Sequence, residues 1–600
     1  MGQPSFQASN ALIYLTYGSF LVVGLYIAWR LRNQTKGEFL SSNGTQKAIP
    51  LALNFIASGS YQRIQVRCVL SWRRQVFGTT RTAATLRVLI VALDMPSMIQ
   101  RRPIIRADEI VDSSADMMLR MYPLGSGILF TYPEIATIAG VQGLVVYGLS
   151  SALPLLAFAF VGPIIRKKFP EVFVLTEWTR QRYGVVAGIY LSILTMITLF
   201  LYMVAELSAL QQIVTALSGL NGLPAVIVQV VVTTIYTSLG GFQVSFLTDN
   251  VQGAMVVGLI IIAVITVGAR TNIDKSLIDS SGLLKPTLLG WQLIYILPVA
   301  ILTNDFFLSN LWLRTFASKT DRDLRIGISI ASFVVLCILV LVGSTGLLAA
   351  WSGVWPGNPP QAGSIAFFLL LEKLPNWVVG IVLVMTVALS TAAFDSLQSA
   401  MVSTASNDVF RNKLPLIYVR IGVVLCIVPV VVVALRSPSV LRIFLISDLV
   451  SASAIPVLVL GLSNRMYWWT AFEVIVGGLG GILSVFIFGT IYYGNATEGG
   501  KLILLQNGLY ANDWSAFGAF VAAPVGGLIF ACIALGLRVG YKYVLSKTTG
   551  RHFDVFDRPL PRSPMAAGPM HLDQPDFIAT GTDAIIRNND EEGAKFRASR

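Results

Sequence analysis

The chain has 600 residues, of which 54% are hydrophobic and only 12% charged. Soluble domains carry about 25% charge, so this composition, with a mean hydropathy of +0.70, excludes a string of globular domains and places the chain among polytopic membrane proteins. The net charge of +13 then depends on where Lys and Arg sit relative to the bilayer, and it gives no reason to invoke a nucleic-acid partner.

In chain order, long apolar stretches fall at 11–30, 123–140, 141–165, 187–214, 224–240, 253–269, 291–312, 327–350, 377–404, 416–435, 441–462, 470–492 and 514–537. Each is long enough, or nearly so, to cross a hydrocarbon core that takes about 20 helical residues. An all-α protein of about 13 transmembrane helices is expected, with the lipid bilayer as its main partner. The first stretch is rich in Tyr and ends in Arg30 and Arg32, so it reads as a retained span rather than a cleaved leader. Basic residues concentrate after spans one, three, seven and nine and after the last span, as in Arg166, Lys167, Arg322, Arg325 and Arg538. By the positive-inside rule this puts the N-terminus outside and the C-terminus in the cytoplasm.

Three isolated cysteines, Cys337, Cys426 and Cys532, lie inside apolar runs, and both histidines, His552 and His571, fall near the C-terminal end. That arrangement supplies neither a disulfide framework nor an intramembrane His relay, and no covalent chemistry or cofactor is expected. No Walker A motif or dinucleotide fingerprint occurs either.

Residues 60–122 do not fit the rest. They hold ten arginines and no lysine, and they separate 51–58 from Leu124-Gly125-Ser126-Gly127, which would otherwise form one long second span. An inserted loop at membrane depth would leave polar backbone unsatisfied. The segment therefore reads as a translated non-coding stretch, the alternative being a genuine loop that gives span two a different start. The expected organisation is 1–50 for the external N-terminus, first span and loop, 51–537 for the core, and 538–600 for a polar tail containing Pro559, Pro561, Pro564 and Pro569, whose composition suits disorder.

Two places concentrate polar groups inside the spans. Leu124-Gly125-Ser126-Gly127 runs through Tyr132 and Pro133 to Glu134. Glycine and proline there would open the helix and expose backbone oxygens near the midplane, where broken helices bind ions and solutes; tight packing through small residues is the alternative. The second concentration runs from Ser390 and Thr391 through Asp395, Ser396 and Ser399 to Ser403. Helical spacing sets Ala392, Asp395, Ser396, Ser399 and Ser403 along one side, suited to an oxygen-lined cation site or to hydrogen bonding between helices. Glu206, Asp305 and Asp448 are further ionisable candidates, since charge at bilayer depth is expensive. Between the concentrations, Gly240-Gly241 marks a sharp break, and Thr248-Asp249 precedes the next span, where Asp249 can cap a helix and suits an inner gate.

Tyr236-Thr237-Ser238-Leu239-Gly240-Gly241 through Thr248-Asp249, with Asp395-Ser396, Ser403-Thr404 and Asp408-Val409-Phe410, resembles the sodium/solute symporter family, and its closest branch is read as the fungal urea active transporters. The resemblance covers 11–537 apart from 60–122. It implies a LeuT-like core of two inverted five-helix repeats, spans two to six and seven to eleven, working by alternating access. It also implies a cation, Na+ or H+, held between the opened part of span two, with Leu124 as a carbonyl position, and hydroxyls of span nine. Those hydroxyl positions are Ser390 and Thr391 in one register and fall on Ala392 and Ala393 in another. Asp448 joins Gly240, Gly241, Thr248 and Asp249 as gate or structural motif residues. The expected function is secondary active import of a small polar solute, urea, across the plasma membrane. The alternatives are an uncoupled channel, a non-transporting sensor, or an inactive paralogue if 60–122 is retained.

Overall fold

The structure is a computed structural model that describes residues 4–30, 126–168, 175–239, 266–308, 320–357, 360–410, 413–436, 439–550 and 552–557, with single positions between 311 and 318. Leu124, Gly125, Gly240, Gly241, Thr248, Asp249 and the segment 60–122 lie outside the described residues, as does most of the expected span at 253–269.

The described residues form helices joined by turns. The principal ones are α1 (Phe6–Arg30), α2 (Ile128–Lys168), the short α3 (Leu175–Tyr183) and α4 (Val185–Ser218). They continue as α5 (Leu223–Leu239), α6 (Leu288–Phe307), α7 (Asp321–Trp351) and α8 (Asn376–Thr404). The chain closes with α9 (Leu416–Arg436), α10 (Val440–Val459), α11 (Ala471–Tyr493) and α12 (Ser515–Thr549). Ten helices among the described residues are long and apolar enough to cross a membrane.

At 41 residues α2 is about twice the length of one crossing. It breaks at Gly140, where φ is 62° and ψ −156°, backbone that only glycine adopts readily. There the Val141 N–H turns outward and donates to the Leu283 carbonyl at 3.0 Å. The break falls at the boundary expected between spans two and three. With α2 counted as two crossings and α5 added, every expected span except 253–269 has a described helix.

Local sequence accounts for the helix ends. Thr287, Thr320 and Ser439 cap α6, α7 and α10 by accepting from the N–H groups of Gly290, Asp323 and Arg442. A Thr470/Glu473 capping box opens α11, and glycines in left-handed conformation close α4, α11 and α12.

The helices differ in how far they are enclosed. In α8, 83% of the most apolar stretch is buried, against 28% in α1 and in α9, so α8 is central and α1 and α9 are peripheral. Both halves of α2 pack against α7, α6 contacts α2, and α4 and α10 close the group. Exposed apolar side chains such as Val22, Leu425, Val428, Ile491 and Ile529 cover the outer helices, a surface suited to lipid.

The tail departs from the expected boundary at 538. Helix α12 continues to Thr549, and residues 552–557 fold back. Lys542 Nζ donates to both Asp554 oxygens at 2.9 and 3.0 Å, and the Tyr467 hydroxyl donates to the Phe556 carbonyl at 2.9 Å. The helix end, with aromatic contacts of Phe553 to Tyr543 and Phe556 to Trp468, holds this part of a segment whose composition alone suits disorder.

Candidate functional site

The opening of α2 meets α4. Before the helix starts at Ile128, the Ser126 N–H and its hydroxyl both donate to Glu206 Oε2, each at 2.8 Å. These donors belong to a helix N-terminus that would otherwise leave its first N–H groups unpaired, so Glu206 serves there as a cap supplied by another helix. Gly127 lets α10 approach: a Cβ at this position would lie 2.8 Å from the Phe444 ring. Phe444 in turn meets Tyr202, one turn before Glu206, edge to face at 4.8 Å.

One turn further along α2, Tyr132 stacks on Tyr147 with ring centroids 4.0 Å apart and planes 5° from parallel. The Tyr132 hydroxyl donates to Ser151 Oγ at 2.5 Å. Tyr147 lies within electrostatic reach of both Glu134 and Asp448. Glu134 is 2% exposed, and its Oε2 has no hydrogen-bond partner. Pro133 sets this turn of α2 against α7, where its carbonyl would sit 2.3 Å from a Cβ at Gly346.

Helices α6 and α10 add the other carboxylates. Asp305 and Asp448 lie within electrostatic reach of each other and of Tyr202. Asn304 joins them by donating to the Tyr202 hydroxyl, accepting from Ser447 Oγ at 3.2 Å and reaching the Asp448 carboxylate. Among the described residues, no Lys, Arg or His is hydrogen-bonded or ion-paired to Glu134, Glu206, Asp305 or Asp448. Glu473 on α11, equally buried, has Arg538 at 2.5 Å.

The polar run of α8 supplies hydrogen bonds to a neighbouring helix. Ser390 and Asp395 face α5: Gln229 Nε2 donates to Ser390 Oγ at 2.9 Å, and the Tyr236 hydroxyl donates to Asp395. Gln398 continues this seam by donating to Thr234 at 3.1 Å and accepting from Thr237 at 3.3 Å. Gln229 also accepts from Tyr17 at 3.1 Å, which ties in α1. Thr391 donates to the Val387 carbonyl at 2.6 Å, so both expected sodium-site hydroxyls have a protein partner. Ser396 and Ser399 are buried, and Ser399 Oγ is unpartnered. Beyond α8, Asp408 accepts from Thr176 of α3. Among the described residues, no group of three or more His, Cys, Asp or Glu is placed to hold a metal ion.

Ser126, Gly127, Tyr132, Glu134 and Asp448 are thus brought into one region, whereas Ser390 and Asp395 belong to the seam between α5 and α8. Asp448, expected as a gate or structural residue, lies in the carboxylate cluster. Tyr147, Tyr202 and Asn304 were not among the expected site residues. Asn304 is the one with a readable signal, as an amide beside Asp305 inside an apolar run.

Among the described residues, ten long apolar helices around a buried polar centre define a multi-pass membrane protein. Residues 124–477 match the sodium:solute symporter family. A spermidine transporter of Candida albicans is 49% identical over 564 residues, covering 93% of this chain and 95% of that protein. The chain belongs to the sodium:solute symporter family. Its fold is similar to that of a Na+-coupled sialic acid symporter in its substrate-bound outward-open state, with a TM-score of 0.60 and 13% identity over 88% of this chain and 98% of that one. The LeuT-like fold class expected from the sequence is therefore found. The function follows in general form: secondary active symport of a small solute driven by a Na+ or H+ gradient. The assignment to the urea-carrier branch is overturned, because the extended relative is a spermidine transporter. The motifs quoted for that branch sit in α5, α8 and their connections, which carry family architecture; the residues gathered around Asp448 lie elsewhere.

Proposed function

We propose that this chain is a symporter for an organic polycation of the polyamine class, spermidine being the leading candidate, and that its solute site is the cluster of Glu134, Asp305 and Asp448 with the neighbouring tyrosines. The observation that carries this reading is that buried Glu134 and Asp448, with half-buried Asp305, have no cationic partner among the described residues. Buried charge is normally paired, and an incoming ammonium supplies that pairing here. Urea is neutral and would leave the carboxylates uncompensated. The identity of the Candida relative supports the same solute class.

In this reading Glu206 holds the opening of α2 in place, and Ser390 and Asp395 join α8 to α5. The coupling ion is Na+, as the family name suggests, with import across the plasma membrane and the N-terminus outside, following the positive-inside bias.

The test is uptake of labelled spermidine by the full chain in proteoliposomes under imposed gradients. Inward accumulation above the external level, abolished by a sodium ionophore and unaffected by a protonophore, is expected. Accumulation abolished only by the protonophore would replace Na+ by H+. Simple equilibration without accumulation would overturn symport.

A further inference from the structure

Two polar rungs join α6 to α10, and their α10 residues, Ser447 and Ser451, bracket Asp448 in the chain. At the first rung Asn304, 1% exposed, accepts from Ser447 Oγ at 3.2 Å. At the second, Thr303 Oγ1 and Ser451 Oγ are 3.1 Å apart, and Ser451 Oγ donates to the Asp448 carbonyl at 2.8 Å. The rungs differ in what they reach. Thr303 turns back on its own helix, where its hydroxyl donates to the Val299 carbonyl at 2.7 Å. Asn304 reaches outward: its amide donates to the Tyr202 hydroxyl of α4 and to the Asp448 carboxylate. Tyr202 is held in turn by its ring, which meets Phe444 of α10 edge to face with centroids 4.8 Å apart.

We infer that Asn304 and Tyr202 are positioning residues for solute recognition: the Tyr202 hydroxyl fixes the Asn304 amide, and the amide fixes the Asp448 side chain in the orientation that meets an ammonium group. The inference rests on the polycation reading above and deepens it by naming two residues that act through Asp448 without touching the solute. An unsupported carboxylate samples several rotamers, and confining it on binding costs affinity. A primary amide offers two N–H donors and one carbonyl oxygen. Here Tyr202 and Asp448 take the donors and Ser447 meets the oxygen, so the plane of Asn304 is fixed from three sides. Removing the Tyr202 hydroxyl leaves one N–H buried without an acceptor; the amide relieves this by turning, and turning withdraws its other N–H from Asp448.

The test is spermidine binding to the purified full chain, by calorimetry, in Tyr202→Phe, Asn304→Ala and Thr303→Val, the first two also combined with Asp448→Asn, with thermal unfolding of each variant alongside. Tyr202→Phe, which keeps the ring against Phe444, is expected to weaken Kd about threefold and Asn304→Ala about tenfold. On the Asp448→Asn background the same substitutions are expected to change Kd by less than about twofold, because residues that act through one carboxylate lose their effect with it. Thr303→Val breaks the neighbouring rung and is expected to lower thermal stability with Kd unchanged. Equal factors with and without the Asp448 carboxylate would overturn the inference, by showing that Asn304 and Tyr202 touch the solute or serve the scaffold. An unchanged Kd in folded Tyr202→Phe would overturn it without the double variants or Asn304→Ala. So would a loss of binding in Thr303→Val as large as that in Asn304→Ala, whatever the Asp448→Asn background shows. Absence of spermidine binding by the unsubstituted protein would instead remove the polycation reading itself.

Discussion

The seam between α5 and α8 and the cluster between α2, α6 and α10 use the same residue types, yet they differ in completeness. In the seam, each carboxylate or amide meets a donor or acceptor on the facing helix: Ser390 with Gln229, Asp395 with Tyr236, Gln398 with Thr234 and Thr237. In the cluster, Glu134 Oε2 meets nothing, and Asp448 is met by the Asn304 amide but by no cation among the described residues. A membrane interior offers no water to complete such groups. A satisfied polar layer therefore fixes helices together, while an unsatisfied one is poised for a ligand.

The largest expected effect separates the two regions by transport. Asp448→Asn should lower kcat/KM for spermidine at least about a hundredfold, the scale of breaking a buried charge pair, as measured by initial uptake rates. Thermal stability of the empty protein should hold or rise, because an uncompensated carboxylate has been removed. A large loss of stability with kinetics unchanged would assign Asp448 to the scaffold.

Glu473 extends the comparison to a carboxylate that is fully paired. Arg538→Met leaves Glu473 buried without its cation and should destabilise the protein by about 3–5 kcal/mol in denaturant titration, whereas changing both residues to apolar ones should recover much of that loss. Next comes Gly140→Ala, which places a Cβ 2.1 Å from the Leu283 carbonyl oxygen at a φ of +62°. A loss of about 2–3 kcal/mol is expected from the backbone alone. Unchanged unfolding of this variant would show that the chain passes between the two halves of α2 in another way.

The seam itself should respond more mildly. Tyr236→Phe removes a donor to Asp395 and is expected to lower stability by about 1 kcal/mol, in the range of interhelical hydrogen bonds in membranes, with the spermidine KM unchanged. The smallest effect is expected at Asp554, where hydrogen bonding to Lys542 holds the carboxyl below the usual carboxylate range. A lowered folded pKa contributes stability above the unfolded value and loses it as pH falls through the folded one. Acidification should therefore release residues 552–557 from α12, as read by proteolysis, without altering uptake at neutral pH. Persistence of protection at low pH would show that the aromatic contacts of Phe553 and Phe556 suffice.

Hydropathy made the spans legible, including the boundary between the second and third, where the structure breaks at Gly140. Ionisable residues inside apolar runs pointed to Glu134, Asp305 and Asp448 individually. Their grouping was not legible, since Asp305 and Asp448 are far apart in the chain and meet only through the packing of α6 on α10. Nor did periodicity choose a face of α8. A helix buried nearly all round carries no polar side to mark which hydroxyls face a site and which face a neighbouring helix, so that Asp395 meets Tyr236 of α5 was not readable. The urea branch was misassigned for a related reason: the family motifs identify a scaffold, while a solute is met by side chains from several helices.

Direct binding of spermidine to the purified full chain, measured by titration calorimetry for the unsubstituted protein, Asp448→Asn and Tyr236→Phe, tests the central claim most directly. The expected result is a similar Kd for the unsubstituted protein and Tyr236→Phe, with a Kd at least about tenfold weaker for Asp448→Asn. Binding abolished by Tyr236→Phe and retained by Asp448→Asn would contradict the account and move the solute site to the seam between α5 and α8.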